Sequence, residues 1–443
     1  MGEQELFECA PVHKAYFKLA LPVVSSMALS LLYNMVDTFF IAQTQNTNLV
    51  AGVSMCAPIF TMMIALGDIF GLGGSSVISR LFGEKREEEG KRVSGFCFYA
   101  AIFVGVFIAI LMIAFQNPVL GLLGVDELTK PYASQYYFYL AVGAPVLIVN
   151  YSPSNMLRTE GLATESMIGT MTGTVINMIL DPVFIFGLRM GAAGAAIATV
   201  LGTLCSDIVL IYFVFKKSRK LTVSCKNISI TGQIFGSIMA IGIPASVTNL
   251  MQSFGIALMN RSLVVYGTDK VAAMGIAMKV SMIVALVLIG FSFGGQPLIG
   301  YNYGAKNMLR MRSVIRFSLK FEIGLSIVAG ILLAALAPYI IPIFMKEEAI
   351  ITAGTLMMRC QLMTMPFVAV VIIFTVVFQS AGKAVSAFVL SLSRQGVVLA
   401  VSMFVLSRMF QYYGVICAQA LSDAVTAMIA VCLYIHLMNT ELG

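Results

Sequence analysis

Four oxygen-bearing side chains stand out in a chain that otherwise offers few. Asp37 sits in LLYNMVDTFFIA, Asn177 and Asp181 in NMILDP, and Thr199 in the alanine-rich run that follows. Each lies within a long apolar stretch, where an ionisable group costs roughly 2.5 to 3.5 kcal/mol at a helix centre and is a functional candidate for that reason. Asn177 precedes Asp181 by one helical turn, so the two share a face, and Ala195 stands one turn from Thr199. Together they offer two carboxylates, an amide carbonyl and a hydroxyl, an all-oxygen set suited to a hard cation. Pro182 follows Asp181 directly and leaves the Met178 carbonyl without its helical amide partner, which adds a further oxygen. Two carboxylates this close in a low dielectric cannot both stay ionised and unpaired, and they should titrate as a unit. A proton or a sodium ion would relieve the same repulsion. The same groups would also serve as satisfied polar residues pinning three helices, and spacing alone leaves both readings open.

Composition decides what must hold them. Of 443 residues, 59% are hydrophobic and only 11% charged, with a mean hydropathy of +0.92. Soluble domains run near one quarter charged, and 28 Lys and Arg cannot cover the surface of a soluble chain this long. The chain is expected to be an integral membrane protein. Twelve stretches reach the ~20 apolar residues that cross ~30 Å of hydrocarbon. Period-two alternation is absent, so the expected fold class is all-α rather than a barrel. At ~1.5 Å per residue, Asp37, Asn177, Asp181 and Thr199 fall roughly 6–17 Å below the outer surface and can meet.

The charge distribution orients the helices. The N-terminus, the loops from even to odd spans and the C-terminus carry nineteen Lys and Arg, Lys226 among them, against six on the other side. Both termini are therefore expected in the cytoplasm. The sequence also repeats itself: Pro22 recurs as Pro244, Gly73 as Gly294, Gly83 and Lys85 as Gly304 and Lys306, Pro145 as Pro366, Gly161 as Gly382 and Gly191 as Gly414, at offsets of 221 to 223 residues. Six spans per repeat is an even number, so the halves enter the membrane in the same sense, as parallel repeats of the kind secondary transporters carry. Expected units are a six-helix bundle over 1–220, a cytoplasmic linker over 221–232 and a second bundle over 233–443.

Several functions fall away. The net charge of +7 is scattered rather than gathered on one face, against a nucleic-acid partner. Eight cysteines show no CxxC, and His13 and His436 lie at opposite ends of the chain. No resident metal or other cofactor is expected. There is no GxxxxGK[ST] for ATP, and the acidic start with Glu3, Glu5 and Glu8 does not resemble a cleavable signal. An intramembrane enzyme would need a nucleophile with its base or an aspartyl pair in a glycine context, which is missing; a channel would usually build its pore by symmetric oligomerisation. Of the other intramembrane charges, Arg261 and Lys279 read as snorkelling groups, Arg394 and Asp423 as a structural ion pair, and Asp68 and Asp207 as members of an inner gate. Methionines crowd the first half, and Met27, Met62, Met63, Met156, Met171 and Met178, with Tyr33 and Asn34, are candidates for an adaptable substrate pocket.

Along nearly its whole length the chain resembles the multidrug and toxic compound extrusion (MATE) family, nearest the bacterial DinF-like and MepA-like branch. The resemblance is carried by LLYNMVDTFFIA, GLGGSSVISRLFGEK, NMILDPVFIFGLRMGAAGAAIAT and GGQPLIGYNYGAKN. It implies two six-helix bundles forming a V, and export of drugs and other amphiphiles, often cationic, in exchange for Na+ or H+ by alternating access. In that branch the cation site is formed by the motif positions that here are Asp37, Asn177, Asp181 and Thr199. Other branches carry acidic residues in helices 7 and 8, where this chain has Arg261 and Lys279, so coupling is expected in the first half. A flippase for lipid-linked precursors or polysaccharides is the alternative, although such proteins usually carry about fourteen spans and a cationic cavity. The expected partners are small-molecule substrates and membrane lipids, the expected location the cell membrane, and the expected working unit a monomer.

Overall fold

The computed structural model describes residues 5–225 and 228–442; Glu3 and Lys226 lie outside the described residues. In chain order the long helices are α1 (Val12–Gln43), α2 (Thr47–Gly83, bent at Cys56), α3 (Glu87–Ala114), α4 (Lys130–Val149, continued by Tyr151–Thr159), α5 (Ala163–Gly187) and α6 (Ala192–Lys216). The second half repeats the set as α7 (Gly232–Val264), α8 (Thr268–Gly304), α9 (Met308–Phe344), α10 (Glu348–Met363 and Met365–Ser380), α11 (384–410) and α12 (412–442). Among the described residues nine helices are long and apolar enough to cross a membrane, or ten with the bent pair of α10 counted as one span. The other two spans have particular causes. The 57-residue stretch Ala384–Thr440 is two spans, because Gln411 leaves the helical region (φ 50°, ψ −123°) and the chain folds back on itself. The twelfth, α4, carries four tyrosines in its first half and is less apolar for that reason.

The repeat is visible in the backbone. Lys85 and Lys306 both take positive φ (63° and 54°) where α2 and α8 end, and Gly161 and Gly382 do the same (83° and 72°) after α4 and α10. Equivalent turns thus close equivalent helices in both halves.

Helices α1 to α6 form one bundle and α7 to α12 the other, and the bundles meet at the end of the molecule that carries the termini. Small residues make that meeting possible. A Cβ on Gly83 would stand 2.0 Å from the Tyr301 carbonyl oxygen, and one on Gly304 2.1 Å from that of Arg80, so α2 and α8 cross backbone against backbone. Gly242 of α7 lies as close to Ile69 of α2, and Gly294 of α8 to Ala20 of α1. Close approach of this kind is how helices associate where lipid is as apolar as their side chains.

A short strap not anticipated from the sequence closes the same end. Residues Glu5–Cys9 form a π-turn that buries Leu6 and Phe7. Phe7 stacks on Tyr301 with centroids 5.0 Å apart, and its carbonyl accepts 2.7 Å from Arg310 Nε. Glu8 binds Lys85 of the first bundle and accepts from the Tyr301 hydroxyl of the second at 2.6 Å. The linker is no loose tether either: Leu221 and Val223 are buried, and Tyr99 Oη donates to the Val223 carbonyl at 2.8 Å.

Candidate cation site

Helices α1, α5 and α6 bring the four oxygen-bearing residues together. Asn177 and Asp181 project from one face of α5 into the bundle, 5% and 0% exposed, and Thr199 faces them from α6 at 6%. Asn177 Nδ2 donates to Thr199 Oγ1 at 3.5 Å, Thr199 Oγ1 donates back to the Ala195 carbonyl at 3.0 Å, and the Tyr33 hydroxyl of α1 lies 3.3 Å from Thr199. Asp37, half-buried on α1, sets its carboxyl within hydrogen-bonding reach of that of Asp181. Immediately beyond Pro182, α5 changes from α- to π-helical turns over Val183–Gly187, as expected where a proline removes a donor from the ladder.

The unmet bonds are the informative part. Asn177 Oδ1, Asp181 Oδ1 and Asp181 Oδ2 are buried and accept from no protein N–H or O–H. Buried polar atoms are normally paired, and three orphaned acceptors side by side form a pocket of negative potential without a donor. These residues can satisfy one another only if a proton is shared between the two carboxyls. Two carboxyls in contact can be joined by a shared proton or by a cation between them, and the surrounding amide and hydroxyl oxygens suit a hard monovalent ion. Tyr136 of α4 also stands near both carboxyls, a neighbour the sequence reading missed. No spacing rule links a residue on α4 to partners on α1 and α5.

The proposed pocket residues are placed unevenly. Met27, Tyr33, Met62, Met171 and Met178 are partly buried and Asn34 is exposed, whereas Met63 and Met156 are packed inside the first bundle at 1% and 3% exposure. Arg394 and Asp423 do pair, with Nε to Oδ1 at 2.9 Å, and Asp423 also accepts from Thr364 and Gln419. Arg261 and Lys279 are exposed. Asp68, expected at an inner gate, accepts from Asn249 across the bundle boundary at 2.9 Å. Asp207 departs from that expectation: it is buried inside the first bundle, where Asn150, at the break in α4, donates to it at 2.8 Å.

Two parallel six-helix bundles, closed at one end around small residues and carrying an acidic pocket in one half, define a transporter-type membrane fold. The MatE family model matches residues 22–183 and again 244–405, and the chain belongs to the MatE family. Its two copies begin at Pro22 and Pro244, the pair that first marks the repeat. Among curated proteins, the chain is 28% identical to the multidrug export protein MepA of Staphylococcus aureus (strain MRSA252), covering all of this chain and 98% of the relative. It is 27% identical to MepA of Staphylococcus haemolyticus over 99% and 97% of the two chains. Among solved structures, an outward-facing multidrug resistance MATE transporter superposes with a TM-score of 0.91 at 23% identity, covering 99% of this chain and 98% of that one. A MOP superfamily transporter from Pyrococcus furiosus gives 0.92 at 22% identity, covering 100% and 99%. The helices of the second bundle that correspond to α1 and α5, namely α7 and α11, carry no carboxylate. The second bundle has no counterpart of the acidic pocket.

Proposed function

We propose that this protein exports amphiphilic, often cationic, small molecules in exchange for Na+ or H+, with Asp37, Asn177, Asp181 and Thr199 binding the coupling ion. The observation that carries the reading is the set of three orphaned acceptor oxygens on Asn177 and Asp181, in contact with the carboxyl of Asp37. Such a site holds a cation or a proton well and nothing at all badly, so its occupancy biases the conformation around it. The contacts between bundles gather toward the terminus end, so the site would be reached from the opposite side in this state. With the termini in the cytoplasm of a cell-membrane protein, as the basic-residue asymmetry supports, that side is external. Inward movement of the ion down its gradient would then gain roughly 2.3 kcal/mol per charge per 100 mV, and substrate would leave on the opposite stroke. The names of the MepA relatives support a multidrug cargo.

The test is efflux of a fluorescent cation from proteoliposomes, driven separately by a sodium and a pH gradient, with wild type beside Asp37→Asn. Driven efflux in wild type and its loss in the mutant at equal protein level is the expected result. Undiminished efflux by Asp37→Asn would refute the site.

A further inference from the structure

The second bundle holds a carboxyl that nothing above uses. Glu322, about four turns into α9, is 0% exposed. Among the described residues it has no cationic partner. Its Oε1 accepts from the Tyr16 hydroxyl at 2.7 Å, and Ser292 of α8 donates to its two oxygens at 3.0 and 2.8 Å. Phe291, Phe317 and Phe321 pack around the Tyr16 ring with centroids 5.4 to 6.4 Å away. The surrounding charges face elsewhere. His13, Lys14 and Lys18 of α1, Lys279 of α8, Arg316 and Lys320 of α9 and Arg359 of α10 are all exposed, so Tyr16 is the titratable group that meets Glu322.

Two features of this arrangement matter. Tyr16 belongs to α1 and the first bundle, whereas Glu322 and Ser292 belong to the second, so the bond exists only while the bundles are closed at this end. Separately, both hydroxyls already donate to the carboxyl, and beside them stand Phe291, Phe317, Phe321 and Ser318, whose hydroxyl donates to the Val314 carbonyl. A metal cation would need several oxygens freed to face it, and those at hand are three hydroxyls engaged in these bonds. A proton needs none.

We propose that Glu322 is a proton-binding site of the second bundle, and that its proton is exchanged with water when the bundles part at the terminus end and Tyr16 withdraws. The step balances simply: the carboxylic acid releases one proton to the aqueous phase on opening, and the carboxylate takes one up before closure. Burying a charge costs far more than burying its neutral form, so the protonated group favours the closed arrangement described above. Because the two states differ in affinity for the proton, protons shift the balance between them. The inference rests on the export reading for its role in a transport cycle, but proton binding at Glu322 is measurable without it.

The test is infrared difference spectroscopy of the full-length protein in liposomes across a pH series, following the carbonyl stretch of protonated carboxyl groups. Wild type is compared with Glu322→Gln, Tyr16→Phe and Asp37→Asn. The expected result is a titrating band lost in Glu322→Gln, displaced by about one pH unit or more in Tyr16→Phe, and retained in Asp37→Asn. Amide exchange over residues 288–296 and 318–326, corrected for intrinsic rates, should rise as that band disappears in wild type and be independent of pH in Glu322→Gln. A spectrum unchanged by Glu322→Gln, or exchange that ignores the band, would overturn the proposal. If instead the export reading is at fault, Asp37→Asn leaves efflux intact while the Glu322 band still titrates, so the two failures show in different assays.

Discussion

At the scale of single residues, the two halves of the repeat have diverged where chemistry is concentrated. One carries Asp37 on α1 with Asn177 and Asp181 on α5, whereas the corresponding α7 and α11 carry no carboxylate. Within the acidic pocket the contributions are unequal. Thr199 offers one neutral hydroxyl that already donates to Ala195 and receives from Asn177, so it fixes geometry more than charge. Thr199→Val should weaken ion binding by about tenfold, in line with ~1–1.5 kcal/mol for one hydrogen-bonding group, where Asp37→Asn abolishes it; sodium or proton titration of the purified variants compares them. Arg394 and Asp423 test the opposite case. Removing the Asp423 charge leaves the Arg394 guanidinium without its carboxylate and Thr364 and Gln419 without their acceptor, and breaking a pair with one fully buried member costs up to about 3–5 kcal/mol. Asp423→Asn should therefore lower thermal stability sharply, while Arg394→Met with Asp423→Leu should recover most of it. Much of the acidic pocket was legible because Asn177 and Asp181 share a helix face and Pro182 marks the spot. Glu322 was not, since its partner lies 306 residues away in the chain and no local pattern points to it.

At the scale of elements, the spans were legible because crossing hydrocarbon demands a long apolar run, and that demand is local. Their interruptions were not. The break of α4 at Asn150 is held by bonds from its side chain to Ser206 and Asp207 on α6, and the strap over Glu5–Cys9 is held by α2, α8 and α9. Both are tertiary in origin. The strap has a charge dependence whose sign can be worked out. Hydrogen bonds from Lys85 and Tyr301 hold the Glu8 carboxyl below its ordinary value of 4.5. A lowered folded-state value means the ionised form stabilises the docked strap above that ordinary value, and the contribution is lost as pH falls through the lower one. Protease cutting or amide exchange within residues 5–10 should consequently stay slow at neutral pH and accelerate in the acid range. In Glu8→Gln the acid acceleration should vanish and the strap should exchange faster at neutral pH. An unchanged profile in that variant would mean Leu6 and Phe7 alone dock it.

At the scale of the whole molecule, the closed end is the part of the structure with least tolerance. One apolar core runs from the first bundle into the second through this end, and within it backbone meets backbone at Gly83 with Tyr301 and at Gly304 with Arg80. No side chain there can swing aside to admit a methyl group, because the atoms in the way are main-chain carbonyls. The strain must go into moving the bundles apart. Within each bundle, Gly83 and Gly304 end their helices and support little else, so the folds of the halves should survive. Gly83→Ala and Gly304→Ala are therefore expected to shift the population away from the arrangement described here, toward one that is parted at the terminus end. A short bifunctional thiol reagent joining cysteines introduced at Asp68 and Asn249, which bond across the boundary, reports the shift directly: the link should form readily with the glycines intact and several-fold more slowly in either variant. Gly236, where an added Cβ meets nothing within 4 Å, supplies the control, and Gly236→Ala should cross-link at the parent rate. Equal rates in all three would mean that the closed end yields by local adjustment, and that the glycines are not what allows the bundles to meet.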